Sequence, residues 1–183
     1  MNNSIRVGIT QGDVNGVGYE IILKAFAESE MFELCTPIVY GSPKIATYHK
    51  KVIGLPTNFS VINNADEAVA GRLNLVNCND EEVRVELGQE SVESGRAAYQ
   101  ALERAVEEYK RGMLDVIVTA PINKHTIQSE SFTFPGHTEY LTQKLGEGNE
   151  PLMILMNESL RVALATIHEP ISAVASLLST IAA

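Results

Sequence analysis

A chain of 183 residues with 45% apolar and 20% charged side chains carries enough apolar material for a full hydrophobic core and too little chain for two complete domains. Its formal net charge of -9, with Lys50-Lys51 and Lys110-Arg111 as the only adjacent basic pairs, argues against a nucleic-acid partner, because no basic stripe is present to follow a phosphate backbone. The longest apolar runs, 152–156 and 162–165, are far too short to cross a bilayer and no leader pattern opens the chain, so a cytoplasmic protein with no membrane partner is expected.

Residues 5–10 form a short apolar run that ends in a Gly-rich turn, and the helical pattern Ile21, Ile22, Ala25, Phe26 follows: strand, loop, helix. The next strand is expected over 37–41, a helix over 43–52, and strands over 58–63 and 73–77. Units of this kind predict an α/β fold with a largely parallel sheet. The polar stretch 80–90 reads as a surface excursion. A long helix is predicted over 91–111, where Ala97, Ala98, Ala101, Leu102, Ala105, Val106 and Tyr109 recur at helical spacing, with Ser91 as N-cap and Gly112 as the stop. The β-branched run 114–119 reads as a buried strand. A helix is expected from His137 to about Leu145, and the short turn Asn157-Glu158-Ser159 between runs 152–156 and 161–166 predicts an antiparallel hairpin. The apolar tail 177–183 looks like a helix cut short.

Three loops and one isolated histidine, His168, are candidates for chemistry. The first loop, Gly12-Asp13-Val14-Asn15-Gly16-Val17-Gly18, joins a strand to a helix, where backbone N–H groups can cradle an anion. Its G-x-x-x-G-x-G spacing matches neither the dinucleotide fingerprint nor a Walker loop, and Gly41-Ser42 stand where a Rossmann site would want an acidic residue. A tight turn is the plainer reading, with Asp13 as the one side chain favouring a site. Lys124, in Thr119-Ala120-Pro121-Ile122-Asn123-Lys124, follows a strand end, where open α/β sheets bind ligands. It either holds a carboxylate or phosphate as a point charge or faces water; His125 beside it is open to both readings.

Phe134-Pro135-Gly136-His137-Thr138-Glu139 places an imidazole and a hydroxyl at a helix start. His137 and Thr138 there suit a phosphate or simply cap the helix. His168, at a strand end in Thr166-Ile167-His168-Glu169, is either a metal ligand or a hydrogen-bonded structural residue. His49, among Tyr48 and Lys50-Lys51 in a helical segment, reads as a surface residue. Cys35 and Cys78 lie in no C-x-x-C spacing and are expected to be reduced thiols.

Taken together, the Gly12-Asp13 and Gly16-Val17-Gly18-Tyr19-Glu20 loop, the Thr119–Lys124 and Phe134–Glu139 motifs, and Arg161-Val162-Ala163-Leu164-Ala165-Thr166 followed by His168 resemble the 4-hydroxythreonine-4-phosphate dehydrogenase family of pyridoxal phosphate biosynthesis. The resemblance implies a fold similar to isocitrate and isopropylmalate dehydrogenases, with two α/β/α lobes and a homodimer that shares its active site. It places residues 1–125 in the first lobe and 126–183 at the start of an incomplete second one. By resemblance His137, Thr138 and Lys124, with Asp13 as the weaker candidate, bind a small phosphorylated amino-acid substrate, and His168 is one of three histidines holding a divalent metal (Zn, Mg or Co). The other two, and most contacts to the cofactor NAD, are expected beyond Ala183, so this chain alone is expected to be inactive. The implied activity is NAD-dependent, metal-assisted oxidation and decarboxylation of 4-phosphooxy-L-threonine. A paralogous dehydrogenase of threonate or erythronate 4-phosphate and a non-catalytic ligand-binding or dimerising module are the alternatives. The family's first loop usually carries prolines where Val14 and Tyr19 stand and alanine at Asn15, so a less rigid loop is expected here.

Overall fold

The computed structural model describes residues 4–78, 83–167 and 169–181. In chain order these form β1 (Arg6–Thr10), α1 (Gly18–Ala25), α2 (Met31–Leu34), β2 (Thr36–Gly41), α3 (Pro43–Ile53), β3 (Phe59–Ile62), β4 (Leu73–Asn77), α4 (Val92–Lys110), β5 (Val116–Thr119), α5 (His137–Leu145), β6 (Ile154–Met156), β7 (Arg161–Ala163) and α6 (Ile171–Ile181). The chain divides into two compact units, Met1–Leu145 and Gly146–Ala183.

The first unit is built on a five-stranded sheet of order β3-β4-β2-β1-β5. Every pairing in it is parallel, with Ile9 opposite both Val39 and Val118 in the central register. Because alternate side chains point to opposite faces, Ile9, Val39 and Leu75 join Tyr19, Ile22 and Leu23 of α1 and Ile45 and Ala46 of α3 in one core cluster. Ile38, Tyr40 and Val76 join Ala101 and Ala105 of α4 in another. Helices therefore cover both faces, as a parallel sheet requires. All six residues of β2 are buried, so this strand carries no hydrophobic alternation at all.

Helix α4 begins where its sequence predicts: the Ser91 hydroxyl accepts from the Ser94 N–H at 3.0 Å, satisfying one of the orphan donors of the first turn. Its flank Ala98, Leu102 and Val106 is sealed by Ile127, Phe132 and Tyr140. Residues 126–145, which the sequence reading assigns to the second lobe, thus belong to the first compact unit. At the far end of α4 the fully buried Glu108 carboxylate accepts from the Tyr40 hydroxyl (2.7 Å), the Ala65 N–H (2.8 Å) and Arg104 Nε (2.6 Å), which satisfies a charge that would otherwise be costly to desolvate.

Two sequence expectations are corrected by this packing. Strand β5 is not buried: Val116 is 40% and Val118 48% exposed, because the strand ends the sheet among the described residues and α4 contacts only its other face through Ile117. His49 is not at the surface: it is 3% exposed, with Nε2 2.8 Å from the Val14 carbonyl and its ring against Tyr19 and Tyr48.

The second unit contains the expected antiparallel hairpin, β6 on β7, with Leu155 opposite Val162. The Asn157 side chain closes its turn by accepting from the Ser159 and Leu160 N–H groups, the local bonding that makes asparagine a turn residue. Helix α6 follows. Among the described residues no helix is long and apolar enough to cross a membrane.

Candidate functional site

From β1 the sheet grows in one direction through β2, β4 and β3, while β5 lies on the other side of β1. That reversal makes the carboxyl ends of β1 and β5 a topological switch point, where open α/β sheets bind ligands. The loop after β1 carries Asp13; the loop after β5 carries Lys124.

The two loops are docked on each other. The Asp13 N–H donates to the Pro121 carbonyl at 2.9 Å. Gly12 has a φ of +68°, and a Cβ there would collide with that same carbonyl, so only glycine fits. The space at this glycine is filled by the protein's own backbone rather than left as an anion cradle, and the tight-turn reading of the motif holds at this position. Half-buried Asp13 accepts the Asn15 N–H on Oδ1 at 3.0 Å.

In the first loop Val14, Asn15 and Tyr19 are all buried, and side-chain hydrogen bonds tie the loop to its surroundings. The Tyr19 hydroxyl meets Gln11 Oε1 at 2.8 Å and receives the Ser42 N–H at 2.8 Å. Asn15 Nδ2 donates to the Gln89 carbonyl at 3.0 Å, and its Oδ1 accepts the Glu86 N–H at 2.8 Å. His49 adds its bond to Val14. The polar stretch before α4, read from sequence as a plain surface excursion, is in its described part strapped onto this loop.

Exposed Lys124 heads a turn set by Asn123, whose Oδ1 accepts the N–H groups of His125 (2.9 Å) and Thr126 (3.2 Å). Asn123 is itself held from the other side, its Nδ2 donating to Glu90 Oε1 at 2.9 Å. Lys124 Cε and Glu139 Oε2 lie 3.9 and 3.6 Å from the position a Cβ on Gly136 would take, which puts both side chains at the start of α5. His137 is the first residue of that helix. Its Nε2 is buried without a hydrogen-bond partner among the described residues. Burial, and after it the nearby Lys124 ammonium, hold the imidazole pKa below its ordinary value. An unpartnered ring nitrogen, an exposed cation and a helix N-terminus together suit an oxyanion, which would supply the missing partner. Thr138, half-buried, is the next residue of the helix.

Lys124 and His137 are thus brought together, Thr138 lies beside them, and Asp13 sits on the neighbouring docked loop. His168 lies outside the described residues. Among the described residues no group of three or more His, Cys, Asp or Glu side chains is placed to hold a metal ion; His168, the one ligand that the resemblance implies within this chain, is not among them. Sequence reasoning missed Asn15, Glu90 and Asn123. Asn123 had a visible signal, an asparagine at a loop start; the partners of Asn15 and Glu90 lie 74 and 33 residues away, and nothing local marks them.

The family model described as "Pyridoxal phosphate biosynthetic protein PdxA" matches residues 33–182. A 4-hydroxythreonine-4-phosphate dehydrogenase from Bacteroides thetaiotaomicron is 60% identical over 97% of this chain and 49% of its own length. A Clostridium botulinum relative with the provisional name D-threonate 4-phosphate dehydrogenase is 33% identical over 92% of this chain and 51% of its own. Among solved structures, a 4-hydroxythreonine-4-phosphate dehydrogenase from Burkholderia phymatum superposes with a TM-score of 0.85 at 32% identity, covering 98% of this chain and 56% of that one. The chain spans about half the length of the curated relatives it matches.

Proposed function

The chain belongs to the pyridoxal phosphate biosynthetic protein PdxA family, and from that premise we propose that it contributes the substrate-phosphate side of a dehydrogenase site acting on 4-phosphooxy-L-threonine. The observation that carries this reading is the meeting of Lys124 with the unpartnered His137 Nε2 at the start of α5. Lys124 attracts the anion as a point charge, His137 in its Nε2–H tautomer donates to one oxygen, and the N-terminal amides of α5 complete the cradle. Thr138 supplies a hydroxyl at the same helix start, and Asp13, one loop away, is the weaker candidate for the substrate's ammonium group.

The overall reaction proposed is oxidation of the substrate's secondary alcohol to a ketone with reduction of NAD to NADH and release of a proton. Loss of carbon dioxide from the resulting β-keto acid then yields 3-amino-2-oxopropyl phosphate. NAD is the hydride acceptor when bound; the residues described here bind and orient the charged ends of the substrate. The proposal includes a divalent metal with His168 as one ligand, a homodimer that shares the site, and a cytoplasmic location.

The name of the C. botulinum relative favours a second reading, a phosphorylated four-carbon sugar acid as substrate. A third reading is a ligand-binding module. Following NADH formation with 4-phosphooxy-L-threonine and with D-threonate 4-phosphate, in a version extended to the relatives' full length, separates them. The proposal expects turnover of the amino acid. Turnover of the sugar acid alone selects the second reading, and binding of either ester without turnover the third.

A further inference from the structure

Asn15 stands at the junction of three segments that meet at the carboxyl edge of the sheet. Its backbone N–H donates to Asp13 Oδ1 (3.0 Å) inside the first loop. Its carbonyl accepts the Gly88 N–H (2.8 Å), its Oδ1 accepts the Glu86 N–H (2.8 Å), and its Nδ2 donates to the Gln89 carbonyl (3.0 Å) and toward Ser91 Oγ (3.4 Å). Ser91 is the N-cap of α4. One buried side chain therefore ties the first loop both to the turn before α4 and to the start of that helix.

The turn ends at Glu90, whose carboxylate accepts the Asn123 side-chain N–H at 2.9 Å. With Nδ2 so engaged, Oδ1 of Asn123 faces the His125 and Thr126 amides and shapes the turn that displays Lys124. The path runs from Asn15 through residues 86–90 to Asn123 and Lys124, and none of its bonds is explained by secondary structure. The first loop meets the Lys124 loop a second time through the Asp13–Pro121 backbone bond.

We infer that Asn15 and Glu90 are positioning residues that lock the first loop, the turn before α4 and the Lys124 loop into one unit and so keep Lys124 at the start of α5. The functional half of this inference rests on the anion-binding role proposed for Lys124; the structural half does not. Glu90 is the informative position because it is exposed and its replacement spares the core.

Amide hydrogen exchange of the chain, read at His125 and Thr126, tests the structural half. E90A and N15A are each expected to speed exchange at both amides by about threefold or more, the effect of losing one modest hydrogen bond. E90Q, which keeps the accepting oxygen, retains the protection. Unchanged exchange in both E90A and N15A overturns the inference, and so does equal loss in E90Q and E90A, which would assign the effect to charge or folding rather than to the hydrogen bond. Titration with 4-phosphooxy-L-threonine tests the functional half. E90A weakens binding when Lys124 is present and has no further effect in the K124M background; equal weakening in both backgrounds overturns positioning through Lys124. If K124M alone leaves affinity unchanged, the anion-binding role fails while the exchange result still decides the relay.

Discussion

His137 is an imidazole whose charged form is opposed twice, first by desolvation and then by Lys124. A histidine with a lowered folded-state pKa binds fewer protons folded than unfolded near the ordinary imidazole range of about 6.5. Its contribution to stability is therefore complete above that range and is lost as pH falls through it toward the folded value. K124M removes the smaller of the two causes. The His137 pKa measured by NMR titration should then rise but remain below the ordinary value, because burial persists; an unchanged titration curve would place Lys124 too far away to act on the ring. The same two residues show where sequence stops being informative. That His137 begins a helix follows from Pro135-Gly136 before it and the apolar spacing after it, whereas its orphaned nitrogen depends on what surrounds the folded helix. His49 makes the point in reverse: two flanking lysines suggest a wet helix face, yet its burial is set by a carbonyl 35 residues upstream.

At the scale of elements, α4 organises the unit. One flank of it covers the sheet through Ala101 and Ala105 and the other receives Ile127, Phe132 and Tyr140. Its limits were readable because the cap, the apolar spacing and the terminal Gly112 all agree. Gly95 lies inside it, where glycine costs about 1 kcal/mol relative to alanine. The fold gives the reason: a Cβ at Gly95 would collide with the Thr126 carbonyl, so the glycine lets the turn that carries Lys124 lie directly on the helix. G95A should therefore lower the urea midpoint instead of raising it, with a loss of unfolding free energy typical of overpacking, about 1–3 kcal/mol. An increase in stability would mean that the turn does not press on the helix. Strand β5 is the opposite case. Its β-branched run reads as buried, but burial of a strand is decided by its neighbours, and at the end of this sheet Val116 and Val118 have only one covered side.

For the whole molecule, the parallel βα order was legible from the sequence and fixes the switch point between β1 and β5, which in turn selects the loops able to meet a ligand. Periodicity and turn residues gave the strands and the main helices, but not α2 or the start of α6. They could not reveal that residues 126–145 pack within the first unit, because that depends on one flank of α4, nor which distant partners bond to the first loop. Four separated motifs pointed to the PdxA family, and the match over residues 33–182 places the chain in it. The central claim is narrower than the family: Lys124 and His137, on two elements thirteen positions apart in sequence, form one anion site. Calorimetric titration of the chain with 4-phosphooxy-L-threonine, beside K124M and H137N, tests it most directly. Loss of a charge-assisted contact predicts affinities about tenfold or more weaker in each variant, whereas equal affinity in all three proteins would contradict the claim.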